Sequence, residues 1–173
     1  MPNEVNGLPT HVLLVHGVVV LVPLCALLLV AAAVAPRARA RLGGFLPLLA
    51  AGCLVMVPLT TSAGEWLEQR VGGGPLVERH AALGDGLLPW VIGLLVLSTA
   101  VWWRGRQAAT AAGPAPASRR VATGSRGAAS PGVLVQVALA ALSVAVAVGA
   151  VVQVVRIGDS GAKAVWTGVT GSA

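Results

Sequence analysis

Residues 12–35 read VLLVHGVVVLVPLCALLLVAAAVA, 24 positions without a charge, interrupted only by His16 and Pro23. A helix crossing the hydrocarbon core of a bilayer needs about 20 apolar residues, within a usual range of about 17–25. Three other stretches meet the same requirement. Residues 42–64 carry no charge, residues 81–103 carry one (Asp85), and residues 132–155 have Gln136 and Gln153 as their strongly polar members. The sequence therefore predicts an all-α, integral membrane four-helix bundle forming one domain over residues 1–173. Period-two alternation with a turn about every ten residues, the mark of an outer-membrane barrel, is not seen.

Composition agrees. Hydrophobic residues make up 56% of the 173 and charged residues 10%, against roughly 45–50% and about 25% in soluble domains. Mean hydropathy is +0.84. There is no Tyr and one Phe, so the apolar mass is Ala, Val and Leu, which suits lipid better than an aromatic core. The opening eleven residues carry Glu4 and no Lys or Arg. The apolar run behind them is too long for the core of a signal peptide, so it is expected to stay as the first span.

Positive charge orients such a bundle. The loops after spans one and three hold Arg37, Arg39, Arg41, Arg104, Arg106, Arg119, Arg120 and Arg126, while Arg70, Arg79, Arg156 and Lys163 lie on the other side. All six acidic residues accompany the smaller group or lie just inside it. Both termini are therefore expected outside a bacterial cell membrane, with the Arg-rich loops in the cytoplasm. The net charge of +6 is then a topology signal. No basic stripe is interleaved with aromatics, so nucleic acid is not an expected partner. Trp102 and Trp103 close span three, and Trp66 and Trp166 sit just beyond spans two and four, as an interfacial belt requires. Residues 107–130 are rich in Ala, Gly, Pro, Ser and Arg and read as a flexible cytoplasmic linker.

Ionisable groups within a membrane span are costly unless paired or buried in the bundle, so each marks a candidate site. The chain has three histidines, His11, His16 and His80, and this topology gathers them in one leaflet. Asp85 follows His80 by five residues, about 7.5 Å along a helix. Thr60, Thr61, Ser62 and Glu65 close span two at the same level, as do Gln153 and Arg156 in span four. His11 and His16 are five apart, about 140° around the helix, and do not share a face; His80 and Asp85 have the same spacing. A ligand held between spans one and three is easier to arrange than one held by a single helix. One histidine from each span, with His16 and His80 as the metal ligands taken here, would grip a haem iron. A remaining histidine or Asp85 would support it, and Arg79 and Arg156 would meet the propionates. Two other readings use the same residues. The histidines knit helices together by hydrogen bonds, or His16 and Asp85 relay protons for a carrier.

Cys25 and Cys53 fall near mid-span with no CxxC spacing and read as small packing residues. Ala141, Ala145 and Gly149, at four-residue intervals in span four, form a small-residue stripe that admits a close neighbour, inside the bundle or on another subunit. Pro23, Pro47, Pro58 and Pro89 each free a backbone carbonyl and kink the helices. Gly84, Gly86 and Pro89 make the region around Asp85 especially irregular. GxSxG, HExxH, P-loop and GxGxxG patterns are all missing, which argues against hydrolases and nucleotide-driven machines.

The opening GLPTHVLLVHG resembles the Leu-Pro-x-His-x-x-x-x-His entry of a bacterial membrane family catalogued as domain of unknown function 2231. The likeness continues at Ala63-Gly64-Glu65-Trp66, at RHAALGD heading span three, and in the tail GDSGAKAVW from Gly158 to Trp166. Where relatives have Pro or Phe after the two entry histidines, this chain has Val12 and Gly17. The resemblance implies a four-helix membrane domain. It leans towards redox work in the envelope, since some members are fused to Rieske iron–sulfur domains, and it carries over His11, His16 and His80. The expected function is haem b-associated electron transfer, or a redox-partner subunit. The alternatives are a structural or assembly subunit and a proton-coupled carrier. The expected partners are the bilayer and a redox protein or second membrane subunit.

Overall fold

The computed structural model describes residues 4–5, 7–111 and 131–167. A two-residue antiparallel pair, β1 (Glu4–Val5) with β2 (Leu8–Pro9), precedes six helices. These are α1 (Thr10–Val34), α2 (Pro36–Leu42), α3 (Phe45–Val71), α4 (Pro75–Asp85), α5 (Leu88–Ala111) and α6 (Pro131–Trp166). Four segments are long and apolar enough to cross a membrane: α1, α3 to Arg70, α4 with α5, and α6. The chain is a multi-pass, all-helical membrane protein.

α1 is the axis of the bundle and touches α3, α5 and α6. Val22, Cys25 and Leu29 on α1, Ala50 on α3, Val91 and Leu94 on α5 and Ala150 on α6 are wholly buried. The outward faces are strongly apolar, with Leu27, Leu48, Val96 and Val148 all more than half exposed. Surfaces of that kind belong in lipid. Cys25 on α1 and Cys53 on α3 are both buried in the core as free thiols.

The structure differs from the expected spans in five places, the first being that α3 runs to Val71, seven residues past the expected end of span two. The stretch after span one is not a bare loop: Pro36, ideal for a first helical turn, starts the short helix α2. Span three is two helices, broken after Asp85 where Gly86 and Leu87 separate α4 from α5. Gln153 on α6 donates from Nε2 to the Leu83 carbonyl at 2.7 Å, satisfying an acceptor that the break leaves open. α6 runs eleven residues past the expected end of span four, sustained by an exposed Asp159–Lys163 pair one turn apart at 2.8 Å. α5 continues to Ala111, because Gln107, Ala108 and Ala109 are good helix formers. The expected linker is therefore helical over 107–111, and its remainder, 112–130, lies outside the described residues.

The expected small-residue stripe is also displaced. Ala141 and Ala145 face outward, whereas Ser143, Ala147, Ala150 and Val154 form the buried seam of α6. Gly149 is used differently, as the bed for Trp90: a methyl group there would lie 2.0 Å from Trp90 Cζ3.

Candidate functional site

α1 begins, α3 ends, α4 lies and α6 ends at one end of the bundle, and there the chain builds its polar cluster. His11, in the first turn of α1, donates from Nδ1 to the Thr60 carbonyl of α3 at 2.9 Å. The ring can come this close because Gly64, one turn beyond Thr60, has no side chain. A methyl group at Gly64 would lie 3.0 Å from both Cε1 and Nδ1 of His11.

His80 repeats the arrangement on the other helix pair. Its Nδ1 lies 3.2 Å from the Ile157 carbonyl and 3.0 Å from Ser160 Oγ, and the Ser160 hydroxyl in turn donates to that carbonyl at 2.8 Å. Gly161, one turn beyond Ile157, underlies the ring, and a methyl group there would lie 3.1 Å from Cε1. Each imidazole thus rests on a glycine of a neighbouring helix and points Nδ1–H at the carbonyl four residues before it. Since a carbonyl only accepts, Nδ1 carries the proton, and in the neutral ring Nε2 keeps a bare lone pair.

The two rings meet edge-on, with centroids 6.4 Å apart and planes at 88°. They border a cavity of 480 Å³ walled mainly by Val15, Val18, Val57, Leu87, Val154 and Ile157. His16, Glu65, Glu68 and Asp85 also border it, and no Lys or Arg does so among the described residues.

The six expected site residues therefore divide. His11 and His80 meet. His16 lines the same cavity but is exposed, and its Nδ1 is turned back to the Val12 carbonyl of its own helix at 2.6 Å. The ring paired with His80 is that of His11, not of His16, because position 11 opens the helix at the level of α4. Asp85 lines the cavity from the end of α4, exposed. Arg79 and Arg156 are exposed and line a different cavity between α4 and α6. No group of three or more His, Cys, Asp or Glu is placed to hold a metal ion among the described residues.

Four contributors to the site were not singled out from sequence: Gly64, Ile157 through its carbonyl, Ser160 and Gly161. Gly64 closes the second apolar run, whereas Ser160 and Gly161 fall in the tail GDSGAKAVW, beyond the end of the fourth. No family model, curated protein or solved structure matches the chain.

Proposed function

We propose that this is a membrane redox protein in which His11 and His80 ligate the iron of a b-type haem at the end of the bundle. The observation that carries the reading is the pair of fixed imidazoles. Both spend Nδ1–H on oxygens of a neighbouring helix, as ligating histidines do, and both leave Nε2 free. His11 and His80 stand with ring centroids 6.4 Å apart, and these two side chains would hold the iron. The apolar walls suit a flat, greasy group, and the two glycine beds seat the imidazoles beside it. The carboxylates on the cavity and the placement of Arg79 and Arg156 elsewhere mean that propionates would turn to water rather than to these arginines. Bound haem would supply one-electron chemistry. The chain's part is to hold the iron at two fixed nitrogens and keep its surroundings dry. The resemblance of the entry motif to a family with Rieske-fused members points the same way. The arginine distribution supports placing this end, with both termini, outside a bacterial cell membrane.

A second reading has its own observation: the same hydrogen bonds tie α1 to α3 and α4 to α6, so the histidines brace the bundle and bind nothing. Asparagine separates the two readings, because its side-chain amide keeps a donor near the Nδ1 position and has nothing in place of Nε2. Protein expressed with haem available should show a Soret band. His11→Asn and His80→Asn should lose that band while keeping the unfolding midpoint of the haem-free wild type, and His16→Asn should keep the band. A colourless wild-type protein that takes up no added hemin would overturn the redox reading and leave the bracing role.

A further inference from the structure

The cavity holding Arg79 and Arg156 is separate from the histidine cavity and has a different character. It measures 350 Å³ and lies between the stripe Leu76, Arg79 and Leu83 of α4 and the stripe Arg156, Asp159, Ser160 and Lys163 of α6. Three cations and one carboxylate meet there. That carboxylate, Asp159, is already engaged by Lys163 at 2.8 Å. Neither guanidinium has a hydrogen-bond or ion-pair partner among the described residues.

The groove therefore offers two forked, uncommitted donors beside a neutralised pair, with leucines on the facing wall. A guanidinium fork matches phosphate oxygens in pairs, which an ammonium cannot do. The position adds a second constraint. Arg156 immediately follows the charge-free run 132–155, so its guanidinium stands where an apolar span gives way to the headgroups. Basic pockets between membrane helices at that level are suited to anionic lipid headgroups. We propose that the α4–α6 groove binds a phosphate-bearing anion through Arg79 and Arg156. An anionic phospholipid, its acyl chain against Leu76 and Leu83, matches both the charge and the apolar wall. This site is independent of whether the histidine cavity holds haem.

The test is native mass spectrometry of the full chain in a neutral detergent, with phosphatidylglycerol, phosphatidylcholine and inorganic phosphate offered separately. The wild type should retain phosphatidylglycerol over phosphatidylcholine. Arg79→Gln with Arg156→Gln should weaken that retention about tenfold or more, since each cation near the surface contributes about 1 kcal/mol. Arg104→Gln, at the opposite end of the bundle, should leave it unchanged. Circular dichroism of the double variant checks folding, and Arg156→Lys alone, retaining charge without the fork, should weaken retention by a smaller factor. Inorganic phosphate retained in place of the lipid, and lost in the double variant, assigns the same site to a soluble phosphate. Equal retention by wild type and double variant, or no preference among the three ligands, overturns the proposal.

Discussion

Arg39 and Gln136, 97 positions apart, converge on the Ala33 carbonyl at the end of α1: Arg39 Nη2 donates at 2.9 Å and Gln136 Nε2 at 2.7 Å. Arg39 also donates from Nε to the Ala32 carbonyl at 2.9 Å and from Nη1 to Gln136 Oε1 at 3.3 Å. The cause is local. Pro36 has no N–H to give to Ala32, four residues before it, so the last turn of α1 presents open acceptors next to lipid. A guanidinium folded back from α2 supplies the missing donors and complements the negative end of the helix dipole.

Arg39→Ala should therefore destabilise the bundle by about 2–4 kcal/mol, since hydrogen bonds to charged groups are worth about 1.5–3 kcal/mol each and are not additive. Arg39→Lys should recover less than half of that loss, because an ammonium cannot serve two carbonyls and Gln136 in one plane. Unfolding in a mixed-detergent titration measures both. A silent Arg39→Ala would mean that water satisfies the Ala32 carbonyl and that Gln136 alone suffices for Ala33.

Gly149→Ala should be among the most damaging single-methyl changes in the chain, because the added carbon would lie 2.0 Å from Trp90. Overpacking of this kind costs about 1–3 kcal/mol. Trp90→Leu should rescue it, so that the double variant is more stable than additivity of the two single changes implies. Additive losses in a thermal-denaturation cycle would show that α6 shifts bodily instead.

Four spans and the end at which the histidines gather were legible, because charge-free runs about 20 residues long admit few other structures. The meeting of a histidine from α1 with one from α4 was legible too, from the common depth of the three rings. Which α1 histidine would meet His80 was not. His11 and His16 point about 140° apart, and nothing in the sequence fixes the helix's rotation; that rotation is set by packing, with Val18, Val22, Cys25 and Leu29 turned into the core. The places of Arg79 and Arg156 were hidden for a similar reason. Residue 79 sits about 100° around α4 from His80, enough to move its side chain from one cavity to the next. Polar position along a helix can be read from sequence far more easily than azimuth.

Ser143 is wholly buried in the α6 seam, and its hydroxyl has no partner among the described residues. Ser143→Ala should thus be neutral or stabilising by about 1 kcal/mol, since it removes an unsatisfied polar group and little volume. Ser98→Ala provides the contrast: Ser98 is equally buried, but its hydroxyl donates to the Leu95 carbonyl at 3.0 Å. Its loss should be mildly destabilising. Paired thermal midpoints in detergent decide the matter, and a destabilised Ser143→Ala would reveal an acceptor for its hydroxyl.

Gly64→Ala and Gly161→Ala test the ring beds separately from the ring nitrogens. Each methyl group would press on its imidazole at about 3 Å, moving it by a few tenths of an ångström without removing Nε2. On the haem reading, both variants should hold the cofactor several-fold more weakly, by hemin titration, than a distant change such as Gly52→Ala, where an added methyl group meets nothing within 4 Å. Identical titrations for all three would separate the glycines from ligand binding.

The severed third span has a mechanical corollary. At Gly86–Leu87 the regular helix gives way to a tighter turn, with the Leu87 N–H on the Gly84 carbonyl at 3.0 Å, so α4 and α5 are joined by a corner rather than a straight rod. The eleven-residue arm is instead fastened sideways, through Leu83 to Gln153 and through His80 to Ser160. His80 therefore takes its bearings from the fourth crossing and His11 from the second, so the spacing of the imidazoles works as a gauge of how those two uprights lean.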